Sequence, residues 1–113
     1  MNVLYLGSLV LKFMIALITG ATSGIGKSTA IEFAKHGYDL IITGRRQERL
    51  EELNGFLTKQ YSVKVLNLCF DVRDEKQVEA AINSIPADFK KIDVLVNNAG
   101  LAAGLSTIQD GKI

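Results

Sequence analysis

An apolar run, then closely spaced glycines, then an amphipathic stretch constrain this chain more than anything else in it. Met14-Ile15-Ala16-Leu17-Ile18 reads as a short buried strand. Thr19-Gly20-Ala21-Thr22-Ser23-Gly24-Ile25-Gly26-Lys27-Ser28 follows it, and within Ser28–Lys35 the residues Ala30, Phe33 and Ala34 share one helical face. A strand, a glycine turn and a helix N-terminus make a phosphate cradle. Glycines let the backbone approach an anion closely, and the free N–H groups and dipole of the helix favour negative charge there. Nucleotide binding is the expectation. The glycines at 20, 24 and 26 give G-x-x-x-G-x-G rather than the plain dinucleotide fingerprint. Gly26-Lys27-Ser28 also ends like an NTPase phosphate loop, whose opening glycine would fall at Ala21. Taken alone the stretch suits a dehydrogenase, an NTPase, or a turn whose glycines serve only its tightness.

The pattern then repeats. Asp39–Thr43 is a second strand, closed by Gly44, and Gln47 to about Gln60 carries Leu50, Leu53 and Leu57 at helical spacing among charges. Val63–Phe70 is a third strand. Asp74-Glu75-Lys76-Gln77 resembles a capping box, and Val78, Ala81, Ile82 and Ile85 mark the face of the helix it opens, with Pro86 as a stop. Val94-Leu95-Val96 is a fourth strand, ending in Asn97-Asn98-Ala99-Gly100, and Leu101–Ile113 reads as loop. Strands alternating with helices predict an α/β fold: a doubly wound parallel sheet with about four strands and three helices. Ligands of such sheets bind outside the carboxyl ends of the strands. Every suggestive group here, Gly20–Gly26, Gly44–Arg46, Asp71-Val72 and Asn97–Gly100, falls at such an end.

Composition excludes several function classes. With 113 residues the chain is one domain at most, and 13 basic against 12 acidic residues give no global field for nucleic acid or an anionic membrane. One cysteine rules out an internal disulfide, which fits a reducing, cytoplasmic compartment, and with a single histidine it argues against a His/Cys metal site. Cys69 is expected to be a small buried hydrophobe, and His36 a partner for the C-terminal dipole of the first helix. From Val3 to Ile18 only Lys12 is charged, yet it splits the apolar run into pieces too short to span a bilayer, and no basic region precedes it. Residues 1–13 are read as an extension, either a short extra element or a start-site artefact with Met14 as the natural first residue; the artefact is favoured. Residues 14–113 are expected to carry the nucleotide-binding fold, which the resemblance described below makes the N-terminal, cofactor-binding part of a dinucleotide-binding domain.

A site for NAD would place a carboxylate at the end of the second strand to hold the ribose 2′-OH. Gly44, Arg45 and Arg46 stand there instead. Paired guanidiniums suit a 2′-phosphate and so predict NADP, the alternative being a solvated helix start. Positive charge at a helix N-terminus is locally unfavourable, which argues for the phosphate. Asp71 could equally cap a loop, and Asn97-Asn98 could satisfy turn backbone.

Thr19-Gly20-Ala21-Thr22-Ser23-Gly24-Ile25-Gly26, Asp71-Val72 and Asn97-Asn98-Ala99-Gly100 together resemble the successive motifs of the classical short-chain dehydrogenase/reductase family, from Met14 to about Gly100. Thr43–Leu50 with Asn97–Ala102 further resembles its NADP-dependent 3-hydroxy acid (serine 3-) dehydrogenase group. The resemblance implies a Rossmann-type sheet and an NADP-dependent oxidoreductase that interconverts a small hydroxy compound and its carbonyl, homo-oligomeric when full length. It implies that Gly20, Ala21, Thr22, Ser23, Gly24, Ile25 and Gly26 hold the pyrophosphate and Arg45 with Arg46 the 2′-phosphate. Asp71 would take the adenine amino group beside the Val72 backbone, Asn98 the adenine ribose, and Asn97 would tie strands together. The family's catalytic Tyr-x-x-x-Lys is absent: four residues after Tyr5, Tyr38 and Tyr61 stand Leu9, Ile42 and Val65. Ser106 falls too early to be the family's catalytic serine. The chain is thus expected to be a cofactor-binding fragment without catalytic residues, the alternatives being a non-catalytic nucleotide-binding remnant and a P-loop NTPase.

Overall fold

In the computed structural model, which describes residues 2–6 and 9–100, two sheets are present. The first is an antiparallel hairpin of β1 (Asn2–Leu6) and β2 (Leu9–Phe13), paired from Asn2↔Phe13 to Leu6↔Leu9. The second is a four-stranded parallel sheet of order β5-β4-β3-β6. Its strands are β3 (Ile15–Thr19), β4 (Asp39–Gly44), β5 (Val65–Cys69) and β6 (Val94–Asn97). The helices α1 (Gly24–Lys35), α2 (Gln47–Tyr61) and α3 (Glu75–Asn83) make the crossovers. Among the described residues no helix is long and apolar enough to cross a membrane.

The apolar runs become strands because both faces of a parallel sheet are covered. All five residues of β3 are buried, and the period of two sends them to opposite layers. Ala16, Ile18, Leu40 and Ile42 meet Ala30 and Ala34 of α1 and Leu50, Leu53 and Leu57 of α2. Ile15, Leu17, Ile41 and Leu68 meet Val78 and Ile82 of α3 with Ile85 and Phe70. Each fully buried Leu or Ile contributes about 1.5–3 kcal/mol relative to an exposed one.

Several expectations shift. The first helix begins at Gly24, not Ser28, so two glycines of the loop are helical. The third strand starts at Val65 rather than Val63, because Ser62 ends α2 in the left-handed region (φ 57). A short 3-10 helix, Ala87–Phe89, follows Pro86. Cys69 is exposed rather than buried. It lies at the last position of β5, an outer strand of the sheet order, on the same face as Asn67 and beyond the reach of the helical layer. His36 caps α1 as expected, its Nδ1 lying 2.8 Å from the Glu32 carbonyl oxygen. Residues 101–113, Ser106 included, lie outside the described residues.

Candidate cofactor site

Parallel pairing aligns the strand ends on one edge of the sheet. Thr19 is level with Asn97, and Gly44 with Cys69. The loop after β3 is shaped by backbone packing. A Cβ on Gly26 would overlap the Gly20 carbonyl oxygen and come within 2.7 Å of the Gly20 carbonyl carbon and 3.2 Å of Ala21 Cα. Only glycine allows the first turn of α1 to sit this close to the strand end. Gly20 itself is left-handed (φ 59), and a Cβ there would stand 3.4 Å from Ala99 N. Ala21 is fully buried and its N–H donates to the Thr43 carbonyl at 3.0 Å, tying the loop to β4.

The N-terminus of α1 is left open. Ser23 occupies the cap position with an extended backbone, makes no side-chain cap bond, and no acidic residue lies in the first turn. The leading N–H groups of a helix have no intrahelical partner, so this end favours an anion. Ile25, in that same turn, is 77% exposed.

Arg45 and Arg46 follow β4, both exposed, and Arg46 is the N-cap of α2 without a side-chain cap bond. Their turn is fixed from β5: Phe70 N–H donates to the Gly44 carbonyl at 3.0 Å, and Cys69 Sγ lies 3.4 Å from the Arg45 carbonyl. Asp71 is engaged within its own loop. Its Oδ1 accepts from Arg73 N (2.9 Å) and Nε (3.1 Å), and its Oδ2 from Nη2 (2.8 Å). Those hydrogen bonds to the Arg73 side chain and backbone hold its carboxyl down at about 2. Val72 packs against the α3 layer. Asn98 is exposed at the end of β6. Asp74 caps α3, accepting from Lys76 N and Gln77 N, while the Gln77 side chain accepts the Asp71 N–H at its Oε1 (3.0 Å) and donates from its Nε2 to Asp74 Oδ2 (3.1 Å).

Asn97 ties strands, as the sequence suggested, and its partner is Thr19. The buried Thr19 hydroxyl donates to Asn97 Oδ1 at 2.9 Å and accepts the Ala99 N–H at 3.2 Å, joining the two loops that flank the cradle. Thr19 drew no separate attention in the sequence, since only its register against β6 shows the role. Asp93 was missed for the same reason: its Oδ2 accepts the Ile15 N–H at 2.9 Å and its own N–H donates to the Ile15 carbonyl at 2.8 Å. Thus the glycine loop, the Asn97–Gly100 loop and the Arg45–Arg46 turn share one edge, while Asp71 faces Arg73.

Comparison with known proteins agrees with this geometry. A family model described as short chain dehydrogenase matches residues 14–112. The sulfoacetaldehyde reductase 2 of Chromohalobacter salexigens is 50% identical over 96 residues, 85% of this chain and 37% of that protein. An NADP-dependent 3-hydroxy acid dehydrogenase of Schizosaccharomyces pombe is 50% identical over 98 residues, 86% of this chain and 38% of that protein. The crystal structure of L-sorbose reductase from Gluconobacter frateurii, complexed with NADPH and L-sorbose, superposes with a TM-score of 0.72 at 39% identity, covering 77% of this chain and 33% of that one. Serine dehydrogenase from Escherichia coli gives a TM-score of 0.69 at 45% identity, covering 79% and 39%. The chain spans somewhat over a third of the length of the curated relatives it matches. The motif order, the sheet order and these matches agree: the chain belongs to the short-chain dehydrogenase family.

Proposed function

We propose that this chain is the cofactor-binding part of an NADP-dependent oxidoreductase that interconverts a small hydroxy compound and its carbonyl. The observation that carries the reading is the cradle after β3, where Gly26 packs on the Gly20 carbonyl and an uncapped helix N-terminus faces the strand ends. A dinucleotide fits such a cradle, since a Cβ would fill it and the open N–H groups suit a pyrophosphate. Gly20, Ala21, Thr22, Ser23, Gly24, Ile25 and Gly26 would hold that group. Arg45 and Arg46, exposed and side by side, would take the 2′-phosphate, and Asn98 the adenine ribose. Asp71 would accept from the adenine amino group beside Val72. Its carboxylate offers about four lone-pair positions, and Arg73 uses three. The bound cofactor would supply or accept the hydride. The names and ligands of the relatives, NADP-dependent or solved with NADPH, support the choice of NADP.

The chain by itself is expected not to turn over substrate. Reduction of a carbonyl needs a proton donor within hydrogen-bond reach of the reacting oxygen. Tyr38 precedes β4 and Tyr61 ends α2, which puts both at the sheet edge opposite the cradle. Homo-oligomerisation of the full-length enzyme and a cytoplasmic location belong to the same proposal.

The test is a fluorescence titration of Arg45→Ala with Arg46→Ala. Charge-assisted contacts are worth roughly 1.5–3 kcal/mol each when desolvated and less when exposed. NADPH affinity should fall by about tenfold or more while NADH affinity stays nearly unchanged. Equal losses for both cofactors would remove the 2′-phosphate assignment. Steady NADPH oxidation by the purified chain with a small carbonyl compound would overturn the expected inactivity.

A further inference from the structure

A groove of about 560 Å³ runs between α1 and α2 from the end of the sheet that carries the cradle. Ile31 and Phe56 line its lower part, and Lys27 from α1 faces Arg49 and Glu52 from α2 across the rest. Thr22 closes its upper end, and that residue also touches the turn after β4: a Cβ on Gly44 would stand 3.2 Å from Thr22 Cγ2. The groove therefore opens at the turn that carries Arg45 and Arg46.

The two cations in it are placed against local electrostatics. Lys27 is the fourth residue of α1 and Arg49 the third of α2, where the positive ends of the helix dipoles lie. Among the described residues the only ion pairs are Lys35–Glu32 and Arg73–Asp71, so neither Lys27 nor Arg49 is paired with Glu52 or with any other acid. Neither makes a side-chain hydrogen bond. Lys27 and Arg49 thus line a groove whose end at Thr22 abuts the turn that carries Arg45 and Arg46, and an anion bound at that end would relieve cations held near two helix N-termini.

Building on the cofactor reading above, we propose that Lys27 and Arg49 form a second cationic wall for the 2′-phosphate and are specificity-determining residues in addition to Arg45 and Arg46. The 2′-phosphate then lies at the mouth of the α1–α2 groove rather than on an open arginine pair. Glu52, on the same wall, opposes it and moderates the preference.

Calorimetric titration of the 113-residue chain with adenosine 2′,5′-bisphosphate and with 5′-AMP, which differ only in that phosphate, reads the effect directly. Lys27→Gln and Arg49→Gln should each lower affinity for the bisphosphate roughly threefold, and together about tenfold, with 5′-AMP binding unchanged. Glu52→Gln should raise affinity for the bisphosphate roughly twofold, a gain that damage to the fold cannot imitate. If both cation variants keep the wild-type preference while Arg45→Gln lowers it, the groove assignment is wrong and the NADP reading stands. A wild-type chain that shows no preference for the bisphosphate removes the NADP reading and this inference together.

Discussion

The two turns that leave adjacent strands, β3 into α1 and β4 into α2, are built by opposite means. After β3 the turn is backbone packed against backbone: Gly26 rests on Gly20, and Ala21, fully buried, is bonded to Thr43. After β4 the turn backbone is tied from outside by Phe70 and Cys69, and the groups facing solvent are the exposed Arg45 and Arg46. The first turn is specified by shape, and at Gly26 it has no room for one extra carbon. The second presents charge on exposed side chains that make no cap bond to the helix they precede.

The largest effect should come from the first turn. Gly26→Ala places a carbon on the Gly20 carbonyl, so strand end and helix must separate. Overpacking of this kind costs about 3 kcal/mol, and the displaced N–H groups should lose both NADPH and NADH binding together. Chemical denaturation with a parallel titration checks it. A Gly26→Ala chain that binds either cofactor at wild-type strength would show that shape is not what sets this turn apart. Gly55→Ala is the control of opposite sign: it lies mid-α2 with nothing within 4 Å of its would-be Cβ, and should stabilise by about 0.5–1 kcal/mol.

Next in size is Thr19→Val. The isosteric change removes the bonds to Asn97 Oδ1 and Ala99 N–H from a fully buried site, at about 1–3 kcal/mol. Because Thr19 joins the glycine loop to the Asn97–Gly100 loop, binding of both cofactors should weaken in step with stability. An unchanged midpoint of denaturation would mean that the two loops are held together by packing alone.

How much was legible follows the same division. The strand–helix alternation from Met14 to Asn97 could be read because apolar runs and leucine spacing are local signals, and the parallel sheet follows from them. The start of α1 was misplaced because Gly24 and Gly26 read as loop by propensity. Tertiary packing overrides propensity there: the close approach to Gly20 requires glycine even inside a helical turn. Cys69 was misjudged because an apolar strand was read as buried at every position, whereas β5 is an outer strand whose last residue escapes the helical layer. The clamps at Thr19 and Asp93 depend on the register of β3 against β6, residues nearly eighty positions apart. No local pattern carries that.

The smallest effect concerns the turn after β5, where charge again acts without burial. Arg73 side-chain and backbone hydrogen bonds lower the Asp71 carboxyl from the ordinary 3.8 to about 2. Since the folded value lies below the unfolded one, the pair stabilises the loop fully above about pH 4. That contribution is lost as pH falls from about 4 to about 2, when the unfolded chain takes up the proton first. Arg73 is exposed and Asp71 only half-buried, so the gain is small and is screened by salt. Carbon NMR of the Asp71 carboxyl should give a midpoint near 2 in the wild type. In Arg73→Gln the midpoint should rise toward the ordinary value, with little change in stability at pH 7. A midpoint that does not move would show that the loop backbone, not the guanidinium, holds the carboxylate. This turn would then be built by shape like the one after β3, rather than by charge like the one after β4.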